Sequence, residues 1–161
     1  MHMKRAICPG SFDPVTLGHI DIFQRASHIF DEVYIGVFNN IRKKPLLSVE
    51  ERIDLLAQAT AHLDNIKVIS FDGLLADYMI KEDIQVIVRG LRSVTDYEYE
   101  QGQAQIIKAM HPELDTMFLT ADSQYMYLSS SMVKELGKYG AELSDFLPQE
   151  IIPDFREKLC N

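Results

Sequence analysis

Four short segments of this sequence concentrate residues able to handle phosphate. The first runs Pro9-Gly10-Ser11-Phe12-Asp13-Pro14 and continues through Thr16-Leu17-Gly18-His19. A glycine-containing turn that leads into a helix offers backbone N–H groups and the positive end of a helix dipole, which together favour an anion. His19 can point back from such a helix start into a cleft, and Gly18 leaves room for a ligand to approach the backbone. Taken alone, T-x-G-H is equally satisfied by an ordinary strand–turn–helix with a partly exposed histidine. The G-x-G-x-x-G of a dinucleotide site and the G-x-x-x-x-G-K-[ST] of a P-loop are both absent, so a nucleotide must be held by another arrangement.

The second segment, Arg42-Lys43-Lys44-Pro45, places three cations in a row, a pattern that on most loops is solvated surface. In the third, Arg89-Gly90-Leu91-Arg92, two guanidinium groups flank a glycine. Their planar forks suit phosphate oxygens, and the plain alternative is ion pairing with Asp96 or Glu98. The fourth is Ser129-Ser130-Ser131 ahead of Met132-Val133-Lys134. Hydroxyls there can cap a helix or bind a phosphate at its N-terminus, and capping accounts for one serine rather than three.

The elements that must position these segments follow from hydrophobic periodicity. Lys4 to Cys8 reads as a strand ending at Pro9-Gly10, and Ile20, Phe23, Ala26 and Phe30 line one face of a helix from Leu17. Val33 to Phe38 is a near-continuous apolar run that suits a strand buried on both faces. Ser48-Val49-Glu50-Glu51 has capping-box form, opening a helix that turns Ile53, Leu55, Leu56 and Ala59 inward. Ile66 to Phe71 is strand three, Leu74 to Lys81 a short helix, and Gln85 to Val88 strand four. Thr95-Asp96-Tyr97-Glu98 reads as a second capping box, opening a helix to about Met110. Asp115 to Leu119 supplies strand five, Ser129 to Lys138 a helix, and Gln149 to Leu159 a last one after Pro148. This βαβ alternation predicts an α/β fold, a single Rossmann-like domain over residues 1–161 with a five-stranded parallel sheet flanked by helices. Ligands of such sheets bind beyond the carboxyl ends of the strands, where all four segments fall.

Composition narrows the class further. The 161 residues carry 16 Lys+Arg against 24 Asp+Glu, a net charge of −8, and 47% hydrophobic residues, as in an ordinary globular chain. An acidic chain is a poor fit to a nucleic-acid binder, but it does not exclude small anionic ligands held by local cations. No apolar run is long enough for a membrane helix, no signal peptide is expected, and Met1-His2-Met3 has no assigned role. Cys8 and Cys160 make no metal or disulfide spacing, which suggests a reducing, cytoplasmic setting. Cys8 is expected in the core beside the site. His28, His62 and His111 are expected at surfaces or helix ends, and Tyr97 and Tyr99 as packing residues.

Together the segments resemble the bacterial phosphopantetheine adenylyltransferase family of the nucleotidyltransferase superfamily, nearly end to end. The resemblance rests on P-G-S-F-D-P-V-T-L-G-H-I-D at 9–21, K-K-P at 43–45, E-E-R at 50–52, R-G-L-R at 89–92, D-Y-E-Y-E at 96–100 and S-S-S-M-V-K-E at 129–135. It implies adenylyl transfer from ATP to 4′-phosphopantetheine, giving dephospho-coenzyme A and pyrophosphate, with Mg2+ carried on ATP and no protein side chain ligating the metal. By that resemblance His19 is the transition-state stabiliser. ATP would be held by Ser11, Phe12, His19, Gly90, Leu91, Arg92, Glu100 and the run Tyr125, Met126, Tyr127, Leu128, Ser129, Ser130, Ser131. The acceptor would meet Ser11, Lys43, Leu75 and Arg89. The family further implies a homohexamer and coenzyme A as feedback inhibitor. Ser11 stands where threonine is common and keeps the hydroxyl; Tyr125 stands where some members have tryptophan. The rival readings are a related transferase acting on nicotinamide mononucleotide or glycerol phosphate, a nucleotide-sensing module without turnover, and a fragment of a class I aminoacyl-tRNA synthetase.

Overall fold

A computed structural model of the chain describes residues 3–38 and 44–160. The elements are β1 (Arg5–Gly10), α1 (Leu17–Ile29), β2 (Glu32–Val37), α2 (Val49–Ala59), β3 (Ile66–Ser70), α3 (Leu75–Lys81), β4 (Val86–Leu91), α4 (Val94–Met110), β5 (Asp115–Thr120), α5 (Ser130–Lys138) and α6 (Ile152–Cys160). The strands form one parallel sheet in the order β3-β2-β1-β4-β5. Connections run outward in both directions from β1, so the order reverses between β1 and β4, the place where open sheets take ligands.

The period-two alternation of strands divides the core between the two faces of the sheet. Ala6, Cys8, Val33 and Ile35 join Phe23, Leu56, Val133 and Phe155 from the helices on one side. The intervening Ile7 and Tyr34 pack with Ile87, Met79 and Ile84 on the other. Because both faces are covered, Val33 through Val37 is buried without a break, as the apolar run predicts. The helix from Leu17 buries Phe23 and Ala26 as expected, while Ile20 reaches only the margin of the core and Ile22 lies within it. Ile53 of α2 is likewise marginal, its place taken by the buried Arg52.

The capping box at Ser48 is present: its hydroxyl accepts from the Glu51 N–H at 3.1 Å, and Glu51 accepts from the Ser48 N–H at 2.7 Å. The expected box at Thr95 is displaced by two residues. Ser93 is the N-cap of α4, with extended backbone, and its hydroxyl accepts from the Asp96 N–H at 3.1 Å. Asp96 in turn accepts from the Arg92 N–H at 2.9 Å, so that short acidic side chain closes the turn.

Two strands run further than their sequences suggest. β1 continues through Pro9 and Gly10, paired with Gly36 and Val37 of β2. β4 continues through Arg89, Gly90 and Leu91, paired with Phe118, Leu119 and Thr120 of β5. Between β1 and β4, however, the ladder holds only Ala6 to Val86 and Ile7 to Ile87. The sheet therefore splits past Ile7 and Ile87, each half staying bonded to its outer neighbour. Pro9, which has no N–H to give, sits on the split edge at little cost.

Candidate active site

The split opens into a cleft of about 340 Å³, walled by Pro9 and Gly10 on one side and by Arg89 and Gly90 on the other, with the start of α1 as its floor. Of the residues selected from sequence, Phe12, His19, Arg89, Gly90, Arg92, Glu100, Tyr125, Leu128, Ser129 and Ser130 line it together. Ser11, Leu91, Met126, Tyr127, Ser131 and Leu75 are not among its lining residues. Met126 and Tyr127 lie exposed beside it, Ser131 faces a second groove, and Leu75 packs at the edge of the smaller apolar cluster. Lys43, with Arg42, lies outside the described residues.

His19 is held by the cap of its own helix. Thr16 is the N-cap of α1; its hydroxyl lies 3.4 Å from the His19 N–H, and its backbone N–H donates to His19 Nδ1 at 3.0 Å. This is a capping box in which histidine replaces the usual glutamate. The backbone donor makes Nδ1 an acceptor, so the ring proton belongs on Nε2. Burial and then the nearby Arg92 guanidinium push the His19 pKa down to about 4, so the imidazole is neutral near pH 7.

Phe12 fixes the ring from the other side. It adopts a left-handed backbone with φ 49°, uncommon for a bulky residue and costing of order ~1–3 kcal/mol, which packing must offset. Its ring meets His19 edge-on at 5.1 Å and Phe23 at 5.4 Å between centroids. A Cβ at residue 10 would come within 2.8 Å of the Phe12 ring, so Gly10 is what lets Phe12 fold back. Gly90 serves packing too, and Gly18 lines the cleft. A Cβ at Gly18 would touch Tyr125 at 3.4 Å, and one at Gly90 would meet Ile22 at 2.9 Å.

The cations of the cleft are braced rather than free. Arg89 pairs with Glu100 at 3.2 Å and donates to the Pro9 carbonyl at 3.1 Å, bridging the split. Arg92 pairs with Asp96 at 3.5 Å and donates to the Leu128 carbonyl at 2.7 Å. Of the acids expected as ion-pair partners, Asp96 is used, and the second partner is Glu100 rather than Glu98. Of the three serines, Ser129 caps α5 through the Met132 N–H, while the Ser130 hydroxyl donates to the Pro14 carbonyl at 2.7 Å. Cys8 also lines the cleft; burial pushes its thiol up to about 12, which leaves it an unreactive wall.

Thr16, Asp13 and Arg52 escape the sequence reading as site residues. The first had a signal, since T-x-x-H has capping spacing with an unusual residue at the third helical position. Asp13 and Arg52 fall within the motifs at 9–21 and 50–52, but they act through contacts distant in sequence that no local pattern shows. Among the described residues no three His, Cys, Asp or Glu side chains gather to hold a metal, and the cleft carboxylates Asp96 and Glu100 are each paired with an arginine.

Comparison with known proteins places these residues in context. Residues 7–136 match the cytidylyltransferase-like family. The chain is 46% identical over 159 residues to the phosphopantetheine adenylyltransferase of Syntrophomonas wolfei, covering 99% of each. It is 50% identical to the enzyme of that name from Shouchella clausii, over 96% of this chain and 98% of that one. The corresponding figure for Dictyoglomus turgidum is 49%, over 97% and 98%. A solved Vibrio parahaemolyticus structure, described as a nicotinate-nucleotide adenylyltransferase, superposes with TM-score 0.73 over 98% of this chain and 95% of its own, at 19% identity. That likeness extends to the fold.

Proposed function

The chain belongs to the phosphopantetheine adenylyltransferase family, and from that premise we propose how its residues carry the family's reaction. The enzyme transfers the adenylyl group of ATP to 4′-phosphopantetheine, forming dephospho-coenzyme A and pyrophosphate in the synthesis of coenzyme A. An oxygen of the acceptor phosphate bonds to the α-phosphorus of ATP as the bond from that phosphorus to the β-phosphate bridge breaks, so no protein nucleophile is required. The obstacle is holding two polyanions in line, and positioning with fixed donors overcomes it.

One observation carries the assignment: a neutral His19 whose Nδ1 is occupied by Thr16, leaving the Nε2 proton for the cleft between Arg89 and Arg92. That Nε2–H donates a hydrogen bond to an α-phosphate oxygen as charge builds there, and the proton stays on the ring. Arg89, with Ser11, Lys43 and Leu75, takes the acceptor. Arg92, with Phe12, Gly90, Leu91, Glu100 and the stretch Tyr125 to Ser131, takes ATP. β4 thus serves both substrates, the acceptor through Arg89 and the nucleotide through Gly90 and Leu91, and the N-terminus of α5 faces the triphosphate. Mg2+ carried on ATP would offset phosphate charge as pyrophosphate leaves, alongside the guanidinium groups of Arg89 and Arg92 that line the cleft. Coenzyme A, which contains the product, competes for the same cleft.

Self-association belongs to this reading as well. Tyr99, Ile106 and Met110 are exposed along α4, a 17-residue helix that buries none of its residues in this chain. Tyr99 is therefore not the packing residue expected of it, although Tyr97 does meet Phe118 edge-on at 5.7 Å. An apolar helix face of this kind fits a second copy in a homohexamer. No helix among the described residues is long and apolar enough to cross a membrane.

Pyrophosphate release from the purified protein tests the reaction. It is expected with Mg·ATP and 4′-phosphopantetheine together and with neither alone. Release with nicotinamide mononucleotide in place of phosphopantetheine would overturn the acceptor.

A further inference from the structure

Asp13 is 6% exposed, one residue past the strained Phe12, and two separate parts of the chain converge on it. Its Oδ2 accepts from the Leu46 N–H and its Oδ1 from the Leu47 N–H, each at 2.9 Å. Lys134, on α5, closes the arrangement with Nζ at 2.8 Å from Oδ2. Burial works against a charged Asp13, but Lys134 and the two N–H donors outweigh it and hold its carboxyl below the usual range. A buried carboxylate with this set of partners is strongly favoured over its protonated form, which would lose one acceptor.

The other end of the same region is tied to the same short stretch. Arg52, 1% exposed, donates from Nη1 to the Ser11 carbonyl at 2.9 Å and to the Phe38 carbonyl at 3.2 Å. Two buried charges of opposite sign therefore bracket the Ser11-Phe12-Asp13 stretch. One fastens the chain leaving β2, and the other fastens the chain entering α2. The backbone that Asp13 fixes carries Lys44 at its start, and Lys44 lines a groove together with Ser131 and Lys134.

We propose that Asp13 is a positioning residue for the acceptor side of the reaction: clamped by Lys134, it holds the 44–47 segment in place against Ser11. This rests on the reading that the basic segment and Ser11 receive the acceptor phosphate. Asp13 touches neither substrate. It acts through Leu46 and Leu47, and Lys134 acts through Asp13.

Steady-state kinetics of Asp13→Asn, Lys134→Met and Lys134→Arg decide it, with KM measured for each substrate. Lys134→Met should raise the KM for 4′-phosphopantetheine by ~10-fold or more while the KM for ATP stays within about twofold, the signature of a displaced binding group on one side only. Lys134→Arg, which keeps charge and donor, should restore most of that loss. Asp13→Asn should show the same split, and combining it with Lys134→Met should add little, because the two act as a unit. A folded Lys134→Met with both KM values unchanged, or with both raised alike, would overturn the proposal. Should Asp13→Asn fail to fold, the two Lys134 variants decide alone, since that side chain is 26% exposed. Lys43→Ala separates the underlying assignment. An unchanged acceptor KM in Lys43→Ala removes Lys43 from the acceptor site, while the Lys134 pair still tests the clamp.

Discussion

At the scale of single residues, charge state is what the surroundings of His19 control. A protonated imidazole would bind the ground-state phosphates of ATP strongly, whereas a neutral Nε2–H donor gains most as negative charge develops on the transferring group. His19→Ala should therefore lower kcat at least ~100-fold while the dissociation constant for ATP changes within about twofold, as measured by pyrophosphate release and by calorimetry. The pH behaviour has a definite sign. The folded-state pKa of about 4 lies below the ordinary 6.5, so the unfolded chain takes up a proton that the folded one refuses. This contribution to stability is complete above about pH 6.5 and is lost as pH falls toward 4. Between pH 6 and 8 the ring is already in its working form, so variation of kcat there has another origin.

At the scale of elements, the site depends on how closely α1 approaches β4. Ile22 presses onto the backbone at Gly90, where an added Cβ would stand 2.9 Å from its Cγ1. Ile22 itself is 7% exposed and has little space to retreat. Gly90→Ala should cost about 1–3 kcal/mol, the usual range for overpacking, read as a lower midpoint in urea denaturation. Because α1 begins with the turn that carries His19, the same variant should lose turnover as well as stability. The split between β1 and β4 has the same logic: Arg89 occupies the gap, so a ladder that closed past Ile7 would leave no cleft.

At the scale of the whole molecule, α4 stands out because its apolar residues face outward. Ile106 is 58% exposed and Tyr99 68%, and their spacing of seven residues puts them on one side of the helix. In an assembly that side becomes core-like, so burying a charge there is costly. Sedimentation should show the wild type at about six times the 18.4 kDa chain mass and Ile106→Asp as smaller species. A wild type that sediments as the single chain would remove the homohexamer from the reading.

The sequence by itself determined the order of elements, the parallel sheet, and the set of loops at its carboxyl ends, because hydrophobic period and turn chemistry are local properties. It also identified His19, Arg89 and Arg92, whose residue types in motif spacing already point to phosphate. Tertiary structure decided what no local pattern encodes. The tautomer and neutrality of His19 come from the Thr16 N–H, from burial and from Arg92, a residue far along the chain. The pairing of Arg89 with Glu100, and the bond from Ser130 to Pro14, depend on which strands and helices become neighbours. The packing of Ile22 on Gly90 has the same origin: a glycine's local freedom is visible in sequence, but what lies against it is set by the packing of other elements. Asp13 and Arg52 belong to the motifs at 9–21 and 50–52 in a linear reading, which assigns neither of them a role. They become anchors because the fold buries them and brings them partners from distant segments.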